Sequence, residues 1–136
     1  YTKVIELQPK SSTAYYSRGL AEQTQVNFDA AIADYSKAVE LDPKFAFAYC
    51  NRASAERSKG DLDAALADSS KAIELKPDLL VAYNVRAQVR QAKGDYAGAL
   101  ADVDEIVKLK PDYVQAYLMR GALEQGMGKM DAALAD

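Results

Sequence analysis

The run Ser12–Phe45, STAYYSRGLAEQTQVNFDAAIADYSKAVELDPKF, decides the fold, because the chain repeats it. The four prolines, Pro9, Pro43, Pro77 and Pro111, stand 34 residues apart. Tyr15, Tyr49, Tyr83 and Tyr117 keep the same step, as do Arg18, Arg52, Arg86 and Arg120, and Ala31, Ala65, Ala99 and Ala133. A fixed period of this size marks a stack of supersecondary units, none of which can bury its apolar face alone.

Within one period, Tyr15, Arg18, Gly19 and Glu22 fall at i, i+3, i+4 and i+7, and Phe28, Ala31, Ile32, Tyr35, Ala38 and Val39 follow the same rule. Each set is one helical stripe. The pattern predicts helix pairs over 12–25 with 28–41, 46–59 with 62–75, 80–93 with 96–109, and 114–127 with 130–136. Residues 1–7 match 35–41 and read as the tail of a helix, closed by Pro9. Gly60, Gly94 and Gly128 stand where the first helix of a pair must stop. Asn27, Asp61 and Asp95 are placed to cap the second helix, and Asp78 and Asp112 the next first helix. Val26 stands in place of the glycine and Lys129 in place of the cap. The Gln25–Phe28 turn is therefore expected to differ in length or shape from its siblings.

Composition narrows the function. Of the 136 residues 49% are hydrophobic, many of them alanine, so the core must be thin and built by close backbone approach. The net charge of −3 is spread over interspersed signs, without the basic stripe of a nucleic-acid binder. There is no histidine and one cysteine, Cys50, which excludes an intrachain disulfide, a His/Cys zinc centre and a Ser–His or Cys–His nucleophile. Phosphate-binding glycine loops are absent, and no cofactor is implied. No apolar run nears the ~20 residues a membrane helix needs, and no signal-peptide pattern is present. The chain opens on Tyr1 in mid-repeat and reads as a piece of a longer protein. Its compartment is left open, with the cytoplasm favoured.

These columns resemble the tetratricopeptide repeat, a 34-residue helix–turn–helix. The family's aromatic is Tyr15, Tyr49, Tyr83 and Tyr117; its small residue is Gly19, Ala53, Ala87 and Gly121; its alanine runs from Ala31 to Ala133. The later aromatic survives in Tyr1 and Tyr35 but becomes Ser69 and Val103, and the small column Ala38, Ala72 becomes Ile106. The resemblance implies an all-α fold, an α-α superhelix or right-handed solenoid of antiparallel helix pairs. It divides the single array 1–136 into the end of a preceding repeat (1–11), repeats 12–45, 46–79 and 80–113, and a truncated repeat 114–136.

Arg18, Arg52, Arg86 and Arg120 are each followed 16 residues later by Asp34, Asp68, Asp102 and Asp136. The arginines could form an anion-binding ladder, but they share the stripe of the packing Tyr and Gly, which favours an internal pair in each repeat. Glu22, Glu56 and Glu124 add i, i+4 attraction, which Arg90 breaks.

The resemblance also implies that the first helices line a concave groove for a peptide or helix of a partner protein. The stripe not used for packing holds Thr13, Tyr16, Ser17 and Leu20; Phe47, Cys50, Asn51, Ser54 and Arg57; Val81, Asn84, Val85 and Gln88; and Leu118 and Met119. It is nearly neutral, mixing amides with apolar side chains. One subgroup of the family grips a chaperone's C-terminal carboxylate with lysine, arginine and asparagine. Asn51 matches its central asparagine, but Tyr16, Leu20, Val81 and Val85 stand where its other lysine, asparagine and basic positions fall, so that clamp is absent. The expected function is a non-catalytic interaction scaffold, with no nucleic-acid partner and no membrane insertion. The alternatives are a segment that self-associates end to end through its truncated repeats, and the partner-recruiting arm of a larger enzyme.

Overall fold

The computed structural model describes residues 1–135, and the side chains of all these except 129, 130 and 132–135. The described residues form α1 (Thr2–Leu7), α2 (Ser12–Thr24), α3 (Phe28–Leu41), α4 (Ala46–Lys59), α5 (Leu62–Leu75), α6 (Leu80–Ala92), α7 (Tyr96–Leu109) and α8 (Val114–Ala135), with no strand among them. They fall into two compact units: Tyr1–Pro77 holds α1 to α5, and Asp78–Asp136 holds α6 to α8.

In unit 1 each helix packs on its neighbour in sequence, α1 on α2, then α2–α3, α3–α4 and α4–α5. The spacing between α2 and α3 is set by one side chain. Tyr35 is fully buried, and a Cβ on Gly19 would lie 2.7 Å from its Cε1, so only glycine admits the ring. The phenol donates to Gln23 Oε1 at 2.7 Å, which satisfies the polar tip of a buried tyrosine. Between α4 and α5 the ring is replaced by Ser69, whose hydroxyl turns back to the Ala65 carbonyl at 2.6 Å, and the small column holds Ala53.

In unit 2, α6 packs on α7 and α7 on α8. Val103 and Ile106 are both fully buried. Where α3 has large Tyr35 and small Ala38, α7 has a medium and a large side chain three residues apart on the same face. The two changes offset in volume, so the Ile106 departure costs no packing.

The turns correct three expectations. At the ends of α2, α4 and α6 the same pair of bonds closes the helix. Asn27, Asp61 and Asp95 amides donate to the Glu22, Glu56 and Arg90 carbonyls at 2.9, 2.9 and 2.8 Å, and Val26, Gly60 and Gly94 amides to residues three back at 3.0 Å each. This is a Schellman closure, which requires a left-handed residue. Gly60 (φ 87°) and Gly94 (φ 80°) supply it without cost. Val26 adopts φ 63°, so the Gln25–Phe28 turn keeps its siblings' shape and takes strain into a β-branched residue instead. Secondly, Asp61 and Asp95 cap α5 and α7 through the Ala64 and Gly98 amides, but Asn27 makes no cap bond and donates to Glu22 Oε2 at 2.9 Å. The N-cap place of α6 belongs to Leu79 rather than Asp78, and α8 begins two residues after Asp112. Thirdly, Gly128 does not end a helix. α8 runs on through it as 22 residues, in place of the expected pair 114–127 with 130–136.

Candidate peptide-binding surface

The arginine column is resolved first, because it could have been a ligand site. Arg18 meets Asp34 through two bonds of 2.7 Å, Arg52 meets Asp68 at 2.5 and 2.9 Å, and Arg86 Nη2 reaches Asp102 Oδ1 at 2.6 Å. Each guanidinium also lies over the tyrosine three residues before it, 5.5–5.7 Å from the ring centroid. The fork geometry is spent on these partners, so these three arginines form the interior pairs and not an anion ladder. Arg120 lies over Tyr117 and 3.7 Å from Asp104; its expected partner, Asp136, lies outside the described residues.

The pairs differ in their surroundings. In unit 1, Glu56 is 9% exposed and 3.8 Å from Arg52, and its Oε2 has no hydrogen-bond partner among the described residues. Burial, then the nearby Asp68, push its carboxyl up to about 7 against the pull of Arg52. In unit 2 the equivalent residue is Arg90, which donates to Asp102 at 2.9 Å and to the Gly98 carbonyl at 3.0 Å.

The candidate groove residues divide. In unit 1, Leu20 on α2 and Phe47 on α4 are 40% and 43% exposed, and Thr13 is exposed beside them. Tyr16 is half-buried, its ring 4.7 Å from Phe45 and 5.9 Å from Tyr35. Its hydroxyl accepts from Asn51 Nδ2 at 2.8 Å, so Asn51 is held by its own protein. Burial raises the Tyr16 phenol above its ordinary range. Ser17, Ser54 and Arg57 are half-buried, and Arg57 Nε is shielded without a partner among the described residues.

In unit 2, Val81 is 44% and Leu118 62% exposed, with Asn84, Gln88 and Met119 half-buried. Gln88 Nε2 donates to Asn84 Oδ1 at 3.0 Å. Two predicted residues are not on the surface: Cys50 is fully buried and Val85 is 7% exposed. Helical spacing alone does not reveal the burial of either. Burial also pushes the Cys50 thiol up to about 11, so it is not a reactive thiolate. Spacing missed Lys110 and Tyr113, which lie before α8 and line a hollow with Leu80, Val81 and Asn84. The recurrence of Phe45, Leu79 and Tyr113, one apolar residue ahead of α4, α6 and α8, was the available signal.

Models of the tetratricopeptide repeat match residues 12–45, 34–67 and 84–136, together most of the chain. The chain belongs to the tetratricopeptide repeat family. Its fold class is the all-α helix-pair superhelix of that family. Among solved structures, MamA is 26% identical over 99% of this chain and 79% of its own, with a TM-score of 0.89. The first TPR of Spaghetti (RPAP3), bound to the HSP90 peptide SRMEEVD, is 25% identical over 86% of this chain and 93% of its own, with a TM-score of 0.83. The Arabidopsis OM64 TPR domain is 26% identical over 84% and 94%, with a TM-score of 0.81. No curated relative matches the sequence. The tetratricopeptide fold is in general a protein-interaction scaffold, and no helix among the described residues is long and apolar enough to cross a membrane.

Proposed function

We propose that the first-helix faces of this protein bind a peptide or helix of a partner protein, and that the chain carries no catalytic centre of its own. One observation supports this above the others. Among the described residues of the repeats, the exposed large apolar side chains of the helices gather on the first helices: Leu20, Phe47, Val81, Val114, Tyr117 and Leu118. The complete second helices α3, α5 and α7 contribute Leu109 alone, while α1, which matches the tail of a second helix, adds Val4 and Leu7. Apolar surface kept on one helix class is the signature of an interaction face. Five of the carboxylates are occupied structurally: Asp61 and Asp95 in caps, Asp34, Asp68 and Asp102 on arginines.

The first TPR of Spaghetti (RPAP3) is bound to the HSP90 peptide SRMEEVD, an acidic sequence. Here Tyr16, Leu20 and Val81 present no cation and Val85 is buried, so the ligand favoured is a peptide with apolar anchors rather than a strongly acidic tail. An interface of this extent is small, and affinity on the order of micromolar, about −8 kcal/mol, is expected. The test is selection from a peptide library, followed by anisotropy titration of a selected peptide. Phe47→Glu combined with Asn84→Ala should weaken binding roughly 10-fold or more, while Lys71→Glu on the outer face leaves it unchanged. Loss of binding with Lys71→Glu and none with the groove changes would reject the reading.

A second reading has its own observation. On α1, Tyr1, Val4 and Leu7 are 65%, 45% and 75% exposed, an apolar face open to a second copy. Light scattering that shows mass rising with concentration, abolished by Leu7→Lys, would establish self-association; a constant monomer mass would remove it.

A further inference from the structure

Tyr16 and Asn84 occupy the same place in their repeats, as do Phe45 and Tyr113, and Asp42 and Lys110. In unit 1 this corner is closed by the protein itself, because the Tyr16 ring packs on Phe45 at 4.7 Å. In unit 2 Asn84 is too short to do the same, and Leu80, Val81, Asn84, Lys110 and Tyr113 line an open hollow of about 210 Å³. A cavity of about 150 Å³ already holds a benzene ring. The wall is apolar except at two points. Lys110 carries its ammonium 5.5 Å from the Tyr113 ring centroid, where unit 1 has the acid Asp42. Asn84 has its carbonyl oxygen taken by Gln88, which leaves its amide hydrogens as the donors at the wall.

We propose that this hollow receives one aromatic side chain of a partner peptide, tyrosine or phenylalanine, followed by an acidic residue. The ring packs on Tyr113 as Tyr16 packs on Phe45, and Lys110 meets both the ring face and the carboxylate. The assignment deepens the peptide-binding reading and rests on it, since the hollow lies on first helix α6 and the approach to α8. It commits the peptide's anchor to a residue type.

The test is an NMR titration of isotope-labelled protein with N-acetyl-Tyr-Glu-amide, and with N-acetyl-Leu-Glu-amide as the control. The tyrosine probe should shift the Asn84, Lys110 and Tyr113 amides and bind roughly 2- to 10-fold tighter than the leucine probe. Asn84→Tyr, which restores the ring unit 1 carries, should abolish those shifts while the protein stays folded by circular dichroism. Lys110→Glu should weaken the tyrosine probe. Equal binding of the two probes, or shifts that persist in Asn84→Tyr, overturns the proposal. The wild-type comparison decides even if Asn84→Tyr fails to fold. A library-selected peptide that binds the first helices without an aromatic anchor would overturn this assignment and leave the groove reading intact.

Discussion

In unit 1 Arg52 faces two acids, Glu56 and Asp68; in unit 2 two arginines, Arg86 and Arg90, share Asp102. The backbone around them is the same, with matching turn bonds and an aspartate cap on the second helix of each pair. The small columns and the Schellman closures thus fix the architecture, and the buried charge can invert within it. What inversion changes is the chemistry of failure. Unit 1 buries a surplus acid, which can take up a proton; unit 2 sets a second, half-buried arginine in its place, which cannot lose one.

The largest expected effect follows from that difference. Asp102→Ala removes the buried carboxylate that two half-buried guanidiniums share and should cost about 4 kcal/mol by denaturant unfolding. Asp68→Ala should cost less, about 3 kcal/mol, since Glu56 can ionise and take over Arg52. Equal losses, or a smaller loss in Asp102→Ala, would break the comparison.

The next effect is a pH dependence confined to unit 1. The folded state holds the Glu56 proton up to about 7, above the ordinary glutamate value of 4.5. Between those values the folded state binds more protons than the unfolded one, so stability is fully present below the lower value and lost as pH rises through the upper. The loss attributable to this group is about 2–3 kcal/mol, and Glu56→Gln should remove it. Wild type and Glu56→Gln are compared by thermal melts at pH 5 and pH 8. The variant should gain on the wild type at pH 8, and parallel curves at both values would show that Glu56 does not titrate in this window.

The smallest effect lies in the turns. Val26 holds a left-handed conformation that Gly94 adopts freely in unit 2, so Val26→Gly should stabilise by about 1–2 kcal/mol. A destabilised variant would mean that the valine side chain earns its place through contacts.

These outcomes also show where sequence reading succeeds. The period, the first three helix pairs and their Arg–Asp partnerships were legible, because each depends on residues within one repeat, whereas the last expected pair, 114–127 with 130–136, is the single helix α8. Val103 and Ile106 read as departures, yet one gain in volume offsets the other's loss, and Ser69 is accommodated by turning its hydroxyl back to the Ala65 carbonyl. The positive φ at Val26 was hidden: the Schellman bonds overrode the residue's own preference. The burial of Cys50 and Val85 was hidden for another reason. A periodicity argument shows which residues share a helix stripe and does not show how many of a helix's stripes are covered. Tyr113 and Lys110 lie in a connection, off any helical stripe, so the hollow they line could not be found by spacing.

The most direct measurement of the central claim is an NMR shift map of the labelled protein with one library-selected peptide. The account predicts that the perturbed amides cluster on α2, α4, α6 and α8, around Leu20, Phe47, Val81 and Leu118. Perturbations centred on the outer faces of α3, α5 and α7 would contradict it.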